Sequence, residues 1–350
     1  MQLDSHLTQL ISVYNPADGS LVSDQIPIAG EGDVERAIEA AQQAFAPGSE
    51  WRRMDDFARQ KVLLNFADLI ERNQEYLASL TRVTLGAPYK PFGKSEIDTA
   101  IGCFRYYAGW VGKFAGQSFP ATDGFFKVVR NEPLGVVAGC VNGLINNSGQ
   151  ICFAASRVYV QEGIYDKFLA AYRTAVAAKR EVMGDPESLS SEIGPVVDQA
   201  QYERILRIIN TAKANNDGKL LQGGEALGTK GFYIDPAIFL DTGKDSSIAR
   251  DEIFGPVVVI NRFKTEEEVI ALSNASQYGL MAGVFTQDIN RGLRLSELFD
   301  SGVVGVNCVS TIHFSCPFGG TKESGIGREL GVHALHAYTE PKTVLINLTY

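Results

Sequence analysis

"VVAGCVNGLINNSGQICF", residues 136–153, decides how the rest of the chain is read. Its first half has the pattern of a buried strand arriving at a glycine turn. Its second half is a small, polar turn that presents Cys152, and it reads as a helix end. A thiol close to helix N-terminal amides has a lowered pKa and a raised reactivity. The plainer reading is a buried structural cysteine, the commoner fate of a lone thiol.

Downstream of this stretch, strands and helices alternate. The strand "SRVYVQ" is followed by the helix "IYDKFLAAYRTAVAAKREVM" and then the helix "QAQYERILRIINTAKAN". Strands "KLLQ", "FYIDPAIFL" and "VVVINRF" come next, then "TEEEVIALSNAS", a helix with a capping box from Thr265 to Glu268. "MAGVFT", the helix "INRGLRLSELFD" and "GVVGVN" complete the alternation. Such a series predicts an α/β fold with a largely parallel sheet.

Upstream, residues 1–116 are predicted mostly helical. "GDVERAIEAAQQAFA" sets Val34, Ala37, Ile38, Ala41, Ala44 and Phe45 on one face at helical spacing. "DFARQKVLLNFADLIERNQEYLASLTRV" continues the pattern, and a third helix covers "SEIDTAIGCFRYYAGWVGKFAG". Residues 117–139 read as a hairpin arm, with "FFKVV" and "GVVAG" split by the breaker "NEPLG". Residues 140–334 hold the alternating unit. The tail, 335–350, ends in an exposed strand, "AYTEPKTVLINLTY", whose edge seeks a partner strand, with another subunit as one source.

Composition narrows the classes. The chain has 350 residues, 45% of them hydrophobic and 21% charged, ordinary values for a soluble globular protein. A formal net charge of −9, dispersed along the chain, argues against nucleic acid or an anionic membrane as a partner. No secretory signal or membrane-length apolar run is visible, so a cytoplasmic location is expected. The five cysteines include no CxxC pair and suit a reducing compartment. His333 and His336 are spaced H-x-x-H without a third ligand, so no metal site is expected.

Two further motifs each carry a plain alternative. In "EIFGPVV", residues 252–258, Glu252 is suited to accept from a sugar hydroxyl and Phe254 to pack on a ring; alone, they equally suit the start of a strand with a surface glutamate. "CPFGGTKESGIGRELG", residues 316–331, is the richest glycine cluster, but Leu330 stands where a dinucleotide fingerprint needs its third glycine. That segment reads as a structural loop.

Taken together, these stretches resemble the aldehyde dehydrogenase superfamily. "NEPLGVVAG", "NSGQICFAASRVYVQEGIYDKF", "DEIFGPVVVINRF", "YGLMAGVFTQD", "SGVVGVN" and "PFGGTKESGIGRELG" stand in family order over nearly all of the chain. The resemblance implies that Cys152 is the nucleophile that attacks an aldehyde, with NAD or NADP as the family's hydride acceptor. Glu252 and Phe254 match residues that hold the nicotinamide ribose. Phe318 matches an aromatic of the substrate pocket, and Ile151 and Phe153 flank the thiol there. The arm and the tail match elements through which the family oligomerises.

One departure shapes the functional expectation. Only the twelve residues from Cys140 to Ile151 separate Gly139 from Cys152, where the family has a dinucleotide-binding α/β unit on the order of a hundred residues long. The expected architecture is therefore an aldehyde-dehydrogenase-like catalytic domain with N-terminal helices and an oligomerisation arm, its Rossmann unit largely missing. The family's oxyanion asparagine, adenosine contacts and general-base glutamate have no match. Each lost oxyanion donor costs about 3–4 kcal/mol of transition-state stabilisation. The leading expectation is thus non-redox thiol chemistry (isomerisation, cyclisation or acyl transfer) on a small carbonyl substrate, with no NAD(P) bound and Glu252 and Phe254 vestigial. The alternatives are a non-catalytic subunit or decayed member, and a true NAD(P)-dependent aldehyde dehydrogenase that oxidises an aldehyde to an acid. A homo-oligomer, or a hetero-oligomer with a full-length relative, is expected in any case. The apolar faces of the N-terminal helices (Ile38, Ala41, Phe45; Val62, Leu63, Phe66, Leu69) need a cover, from the rest of the chain or from another subunit.

Overall fold

The computed structural model describes residues 10–46, 48–114, 117–119, 125–133, 147–309 and 312–347. The predicted strand over 135–139 and the short junction after it, 140–146, lie outside the described residues.

The chain begins with an antiparallel pair, β1 (Leu10–Tyr14) and β2 (Leu21–Pro27), and four helices follow: α1 (Glu31–Phe45), the one-turn α2 (Glu50–Arg53), α3 (Asp56–Arg72) and α4 (Gln74–Leu85). The long pattern over 56–83 is two helices rather than one. Asn73 ends the first and starts the second, and its Nδ2 donates to the Leu69 carbonyl at 2.8 Å. A side-chain amide that bonds its own backbone competes with helix propagation. The next helix, α5 (Lys94–Ala108), joins this group to the rest: Phe66 on α3 meets Phe104 edge-on at 4.8 Å, and Gln60 donates to the Ala108 carbonyl.

Among the described residues, much of the apolar face of these helices is exposed. Val34 is 52% exposed, Phe66 46% and Phe57 85%, and α1 has no buried residue. The other described residues do not supply the expected cover.

The arm is β3 (Gln117–Phe119) and β4 (Phe125–Pro133). β4 runs through Asn131, Glu132 and Pro133, three of the five residues expected to break it. Its ladder with the last strand, β15 (Thr339–Asn347), pairs nine residues from Thr339↔Pro133 to Asn347↔Phe125. That continuous pairing overrides the local turn signal. The tail strand so finds a partner within its own chain; it lies at the edge of a three-stranded sheet, where Pro341 is tolerated.

The centre is a four-stranded sheet in the order β5 (Arg157–Gln161), β10 (Val257–Phe263), β9 (Ala237–Leu240), β6 (Lys219–Gln222). The first three are parallel, and β6 is antiparallel to β9. Strand side chains alternate between faces. Val257 and Val259 of β10 with Ala237 and Phe239 of β9 pack on α7 (Gln199–Asn215) through Ile205, Ile209 and Ala212. Val258 and Ile260 with Ile238 and Leu240 pack on α6 (Tyr165–Glu181) through Tyr165, Phe168 and Leu169. Both faces are covered, which is why "VVVI" and "AIFL" are unbroken apolar runs. The predicted strand "FYIDPAIFL" is interrupted at Asp235–Pro236, leaving the short β8 (Tyr233–Ile234) paired with β7 (Ala226–Leu227).

A one-turn helix, α8 (Ser247–Arg250), precedes β10, and α9 (Glu266–Asn274) follows it. The capping box at α9 is half formed: Thr265 Oγ1 accepts from the Glu268 N–H, but Glu268 accepts from the N–H of Lys264. Beyond it, β12 (Met281–Val284) and β13 (Val303–Val306) pair in parallel around α10 (Ile289–Leu298). β11 (Tyr278–Gly279) pairs with β14 (Thr321–Lys322), which leads to the short α11 (His333–Ala337) and the tail. Among the described residues, no helix is long and apolar enough to cross a membrane.

Candidate active site

Cys152 is half-buried and does not sit on a helix. Turns lead to it, closed by Gln150 N–H to the Asn147 carbonyl (3.0 Å) and Ala154 N–H to the Ile151 carbonyl (3.1 Å), and the chain then passes into β5. Ser148 (φ 55°) and Gly149 (φ 74°) are consecutive left-handed residues, a conformation no right-handed helix continues through. The expected thiol beside helix amides is thus not what the chain builds.

This turn is pinned from two sides. Ser148 Oγ donates to the Gly194 carbonyl at 2.5 Å, and the Val197 N–H donates to Gln150 Oε1 at 2.9 Å. On the other side, Gly149 lies against the loop that carries Glu252 and Phe254. A Cβ on Gly149 would stand 2.1 Å from the Gly255 carbonyl oxygen, so only glycine permits the contact.

The Glu252–Phe254 loop is held by its carbonyls. Arg204 on α7 donates to the carbonyls of Glu252 (2.6 Å) and Ile253 (2.7 Å), and Gln201 donates to those of Ile253 (3.2 Å) and Phe254 (2.9 Å). Ile253 is buried, while Glu252 and Phe254 (φ 57°) are exposed. Both line an open cavity of about 460 Å³ together with Asn147, Gln150, Asp198 and Gln201.

On its other flank, Cys152 joins an apolar cluster. Ile151, Phe153, Phe318 and Leu330 are buried in it, with Ile312 and Phe314 packed against them. Phe153 and Phe318 meet edge-on with ring centroids 5.4 Å apart. The four residues that sequence placed around the thiol side of the site, Ile151, Cys152, Phe153 and Phe318, are therefore neighbours. Glu252 and Phe254 occupy the adjoining loop.

The environment keeps the thiol protonated. Burial pushes Cys152 up to about 11, its own backbone N–H acts in the opposite direction, and the Glu252 and Glu329 carboxylates push it further up. At neutral pH Cys152 is thus held as a thiol rather than a thiolate.

Two groups near the thiol escaped the sequence reading. Glu329 sits in the segment taken for a structural loop, and its charge reaches Cys152 and Cys103. The signal was a charged residue directly before the apolar Leu330, in a run otherwise rich in glycine. The second group is the aromatic row Tyr106, Tyr107 and Trp110 at the end of α5. Tyr106 faces Phe314 at 6.4 Å, tying the N-terminal helices to the thiol cluster. His333 and His336 lie 6.1 Å apart between ring centroids, and no group of three or more possible metal ligands exists among the described residues.

A half-buried thiol thus lies between an aromatic cluster and an open polar cavity, at the edge of an α/β sheet covered on both faces. The sequence profile of the aldehyde dehydrogenase family matches residues 3–140 and 137–344, and the chain belongs to that family. The human mitochondrial aldehyde dehydrogenase is 32% identical over 459 residues, covering 95% of this chain and 88% of that protein. Human retinal dehydrogenase 2 is 31% identical, covering 99% and 90%. Among solved structures, the NAD+ complex of the aldehyde dehydrogenase from Bacillus cereus is similar at a TM-score of 0.89 and 27% identity, covering 97% of this chain and 94% of that one. The NAD-dependent aldehyde dehydrogenase from Sinorhizobium meliloti is similar at a TM-score of 0.91 and 25% identity.

These likenesses correct two expectations. Non-redox chemistry without a coenzyme, and the absence of NAD(P), were inferred from the short interval between Gly139 and Cys152. A chain that matches dehydrogenases over nearly its whole length, one of them in complex with NAD+, overturns both. The inference weighed one segment. The groups beside the thiol come from elsewhere, from the 252–256 loop and from the strands and helices behind it, and these are intact. The fold likewise matches that of full-length family members, and the alternative first set aside, NAD(P)-linked aldehyde oxidation, is the better supported.

Proposed function

We propose that this chain oxidises an aldehyde to the corresponding acid with a nicotinamide coenzyme, using Cys152 as the nucleophile. The observation that carries the reading is the contact of Gly149 with the Gly255 carbonyl. It fixes the thiol turn against the loop bearing Glu252 and Phe254.

The residues present fit the nicotinamide end of such a coenzyme. Arg204 and Gln201 occupy the carbonyls of residues 252–254, which leaves the Glu252 carboxylate and the Phe254 ring free to face the cavity. Glu252 suits the hydroxyls of a ribose, and Phe254 suits the flank of a ring. When bound, the coenzyme supplies a hydride acceptor. The protein's part is to place the Cys152 sulfur, to bury the aldehyde's substituent among Ile151, Phe153 and Phe318, and to take up the proton of the thiol.

We further infer that the coenzyme-binding portion is shortened. The alignment to the human mitochondrial enzyme runs over 459 residues, of which this chain supplies 95% of 350, about 333. The two family matches overlap at residues 137–140, just before the thiol turn. Contacts to the adenosine half are then fewer, and binding rests on the nicotinamide ribonucleotide.

The test is aldehyde-dependent NADH formation by the purified chain, with NAD+ and with nicotinamide mononucleotide. Turnover that disappears in Cys152→Ala is expected, with the two coenzymes bound within about tenfold of each other. No reduction of either coenzyme across a panel of aliphatic and aromatic aldehydes would refute the reading.

A further inference from the structure

The β1–β2 hairpin and α1 are neighbours in the chain, joined by residues 28–30 alone, yet neither covers the other. Ile11 pairs with Ile26 and Tyr14 with Leu21, and all four side chains are exposed. Residues paired across two strands share a face, so each pair presents its apolar surface together. On α1, Val34 and Ile38 stand one turn apart on the same side, both exposed. One chain thus carries a bare sheet face and a bare helix stripe, two surfaces that pack on each other in layered folds. We propose that a second copy of this chain covers them, the hairpin of each copy lying on α1 of the other about a two-fold axis.

Reciprocity favours a like partner. In a two-fold contact, whatever one copy offers the other must receive, and it must offer the same in return. The hairpin and α1 are the two halves of such an exchange. Each copy gains one sheet-on-helix contact as donor and one as acceptor, so both bare surfaces are covered at once.

The hairpin is also held ready for a partner. The Asn15 N–H donates to the Ser20 carbonyl at 2.8 Å across the turn, and the Phe232 N–H donates to the Pro16 carbonyl at 3.0 Å. Pro16 is buried. Gly86, at the end of α4, has a φ of 72°, and a Cβ there would stand 2.8 Å from the Pro16 ring. The root of the hairpin is therefore wedged onto the body of the chain, while its strands form a two-stranded sheet. A two-stranded sheet is marginal in water without a further layer.

The surface is large enough. The chain exposes 20829 Å², where a compact monomer of 38.0 kDa exposes about 13,900 Å². Granting the thirty-five residues outside the described set the roughly 160 Å² each of an unfolded chain leaves an excess of about 2,400 Å². A stable interface takes about 800 Å² from each partner. The arm and the tail hold part of that excess, and a third of it suffices here. The interface is separate from the arm and tail, through which the family resemblance implies assembly, and it does not depend on the aldehyde-oxidation reading.

The test is sedimentation velocity of the full chain over a range of concentrations, in wild type, Ile26→Asp on the hairpin, Ile38→Lys on α1 and Leu345→Asp on the tail strand. Wild type is expected to form the dimer, doubled where the arm adds a contact of its own. Ile26→Asp and Ile38→Lys should each weaken the dimer about 100-fold, because one substitution strikes both halves of a two-fold interface. Leu345→Asp should leave it intact. Mixed in equal amounts, Ile26→Asp and Ile38→Lys should dimerise again. The mixed pair has one half with a native hairpin on a native α1, and the other half sets the new carboxylate against the new ammonium. Recovery in the mixture also shows that both variants are folded, which circular dichroism checks separately. A wild type that stays monomeric would overturn the proposal and leave the face to an unlike partner. Assembly unchanged by Ile26→Asp and Ile38→Lys, or a mixture of the two that stays monomeric, would overturn it as well.

Discussion

Replacing Gly149 by alanine separates the thiol turn from the loop it leans on, and the cost follows from two numbers. The added Cβ would lie 2.1 Å from the Gly255 carbonyl oxygen, where ordinary contact begins at 3.4 Å, so the two loops must part by at least 1.3 Å. Neither contact atom is the end of a flexible side chain. The Gly255 carbonyl is fixed by β10 behind it, and the turn is fixed by Ser148 on Gly194 and by Gln150 on Val197. Alanine at a φ of 74° adds about 1–2 kcal/mol of left-handed strain. Overpacking of this kind adds about 1–3 kcal/mol. Gly149→Ala is therefore expected to lower stability in urea by about 2–5 kcal/mol. A displacement of roughly an ångström between nucleophile and bound partner costs about 100-fold in rate, so aldehyde-dependent NADH formation should fall by that factor even where the variant is fully folded. A variant within 0.5 kcal/mol of wild type and within threefold in kcat/KM would show that the two loops are not mechanically coupled, and the basis of the proposed function would go with it.

Two further outcomes follow from the same geometry. Arg204→Met removes the donors to the Glu252 and Ile253 carbonyls; a loss of about 1–3 kcal/mol is expected, with KM for the coenzyme raised more than KM for the aldehyde, and equal effects on both would count against a coenzyme role for the loop. The Cys152 thiol, raised from an ordinary 9.0 to about 11, binds its proton more tightly in the folded state. Its contribution to stability is complete below pH 9 and is lost as pH rises to 11. Two units correspond to about 2.7 kcal/mol, which half exposure to solvent reduces to about 1 kcal/mol. Urea unfolding at both ends of that window should show wild type losing about 1 kcal/mol more than Cys152→Ala; parallel losses would place the thiol in water rather than among Phe153 and Phe318.

Much of the catalytic unit was legible in the sequence because its physics is local. "VVVI" and "AIFL" have no polar residue to spare for solvent, and both faces of the sheet are covered. "QAQYERILRIINTAKAN" repeats its apolar residues at helical spacing and is a helix over that whole run, started by the Asp198 carboxylate on the Gln201 N–H. Legibility ended where long-range contacts outvoted local signals. "NEPLG" carries the residues of a turn, yet the nine-residue ladder to the tail extends β4 to Pro133. The helix end read at the turn before Cys152 fails at Ser148 and Gly149, whose left-handed backbone goes with contacts to Gly194 and Gly255, far off in sequence.

The site shows the same limit with a chemical consequence. Pattern alone left two readings of Cys152 open, a low-pKa thiol beside helix amides and, more plainly, a buried structural cysteine. In the folded chain it stands among Ile151, Phe153 and Phe318 within the fields of two carboxylates, and its pKa moves the opposite way. A thiolate formed in advance needs no base; a thiol held protonated does. The reversal therefore transfers the question from the cysteine to its surroundings. The same burial that makes Cys152 a poor free nucleophile protects a thioester formed on it from bulk water, so release of the acid waits on whichever group activates a single water molecule. Under the proposed reaction, acylation and deacylation thus place the same demand on the protein: a group that takes up a proton beside Cys152.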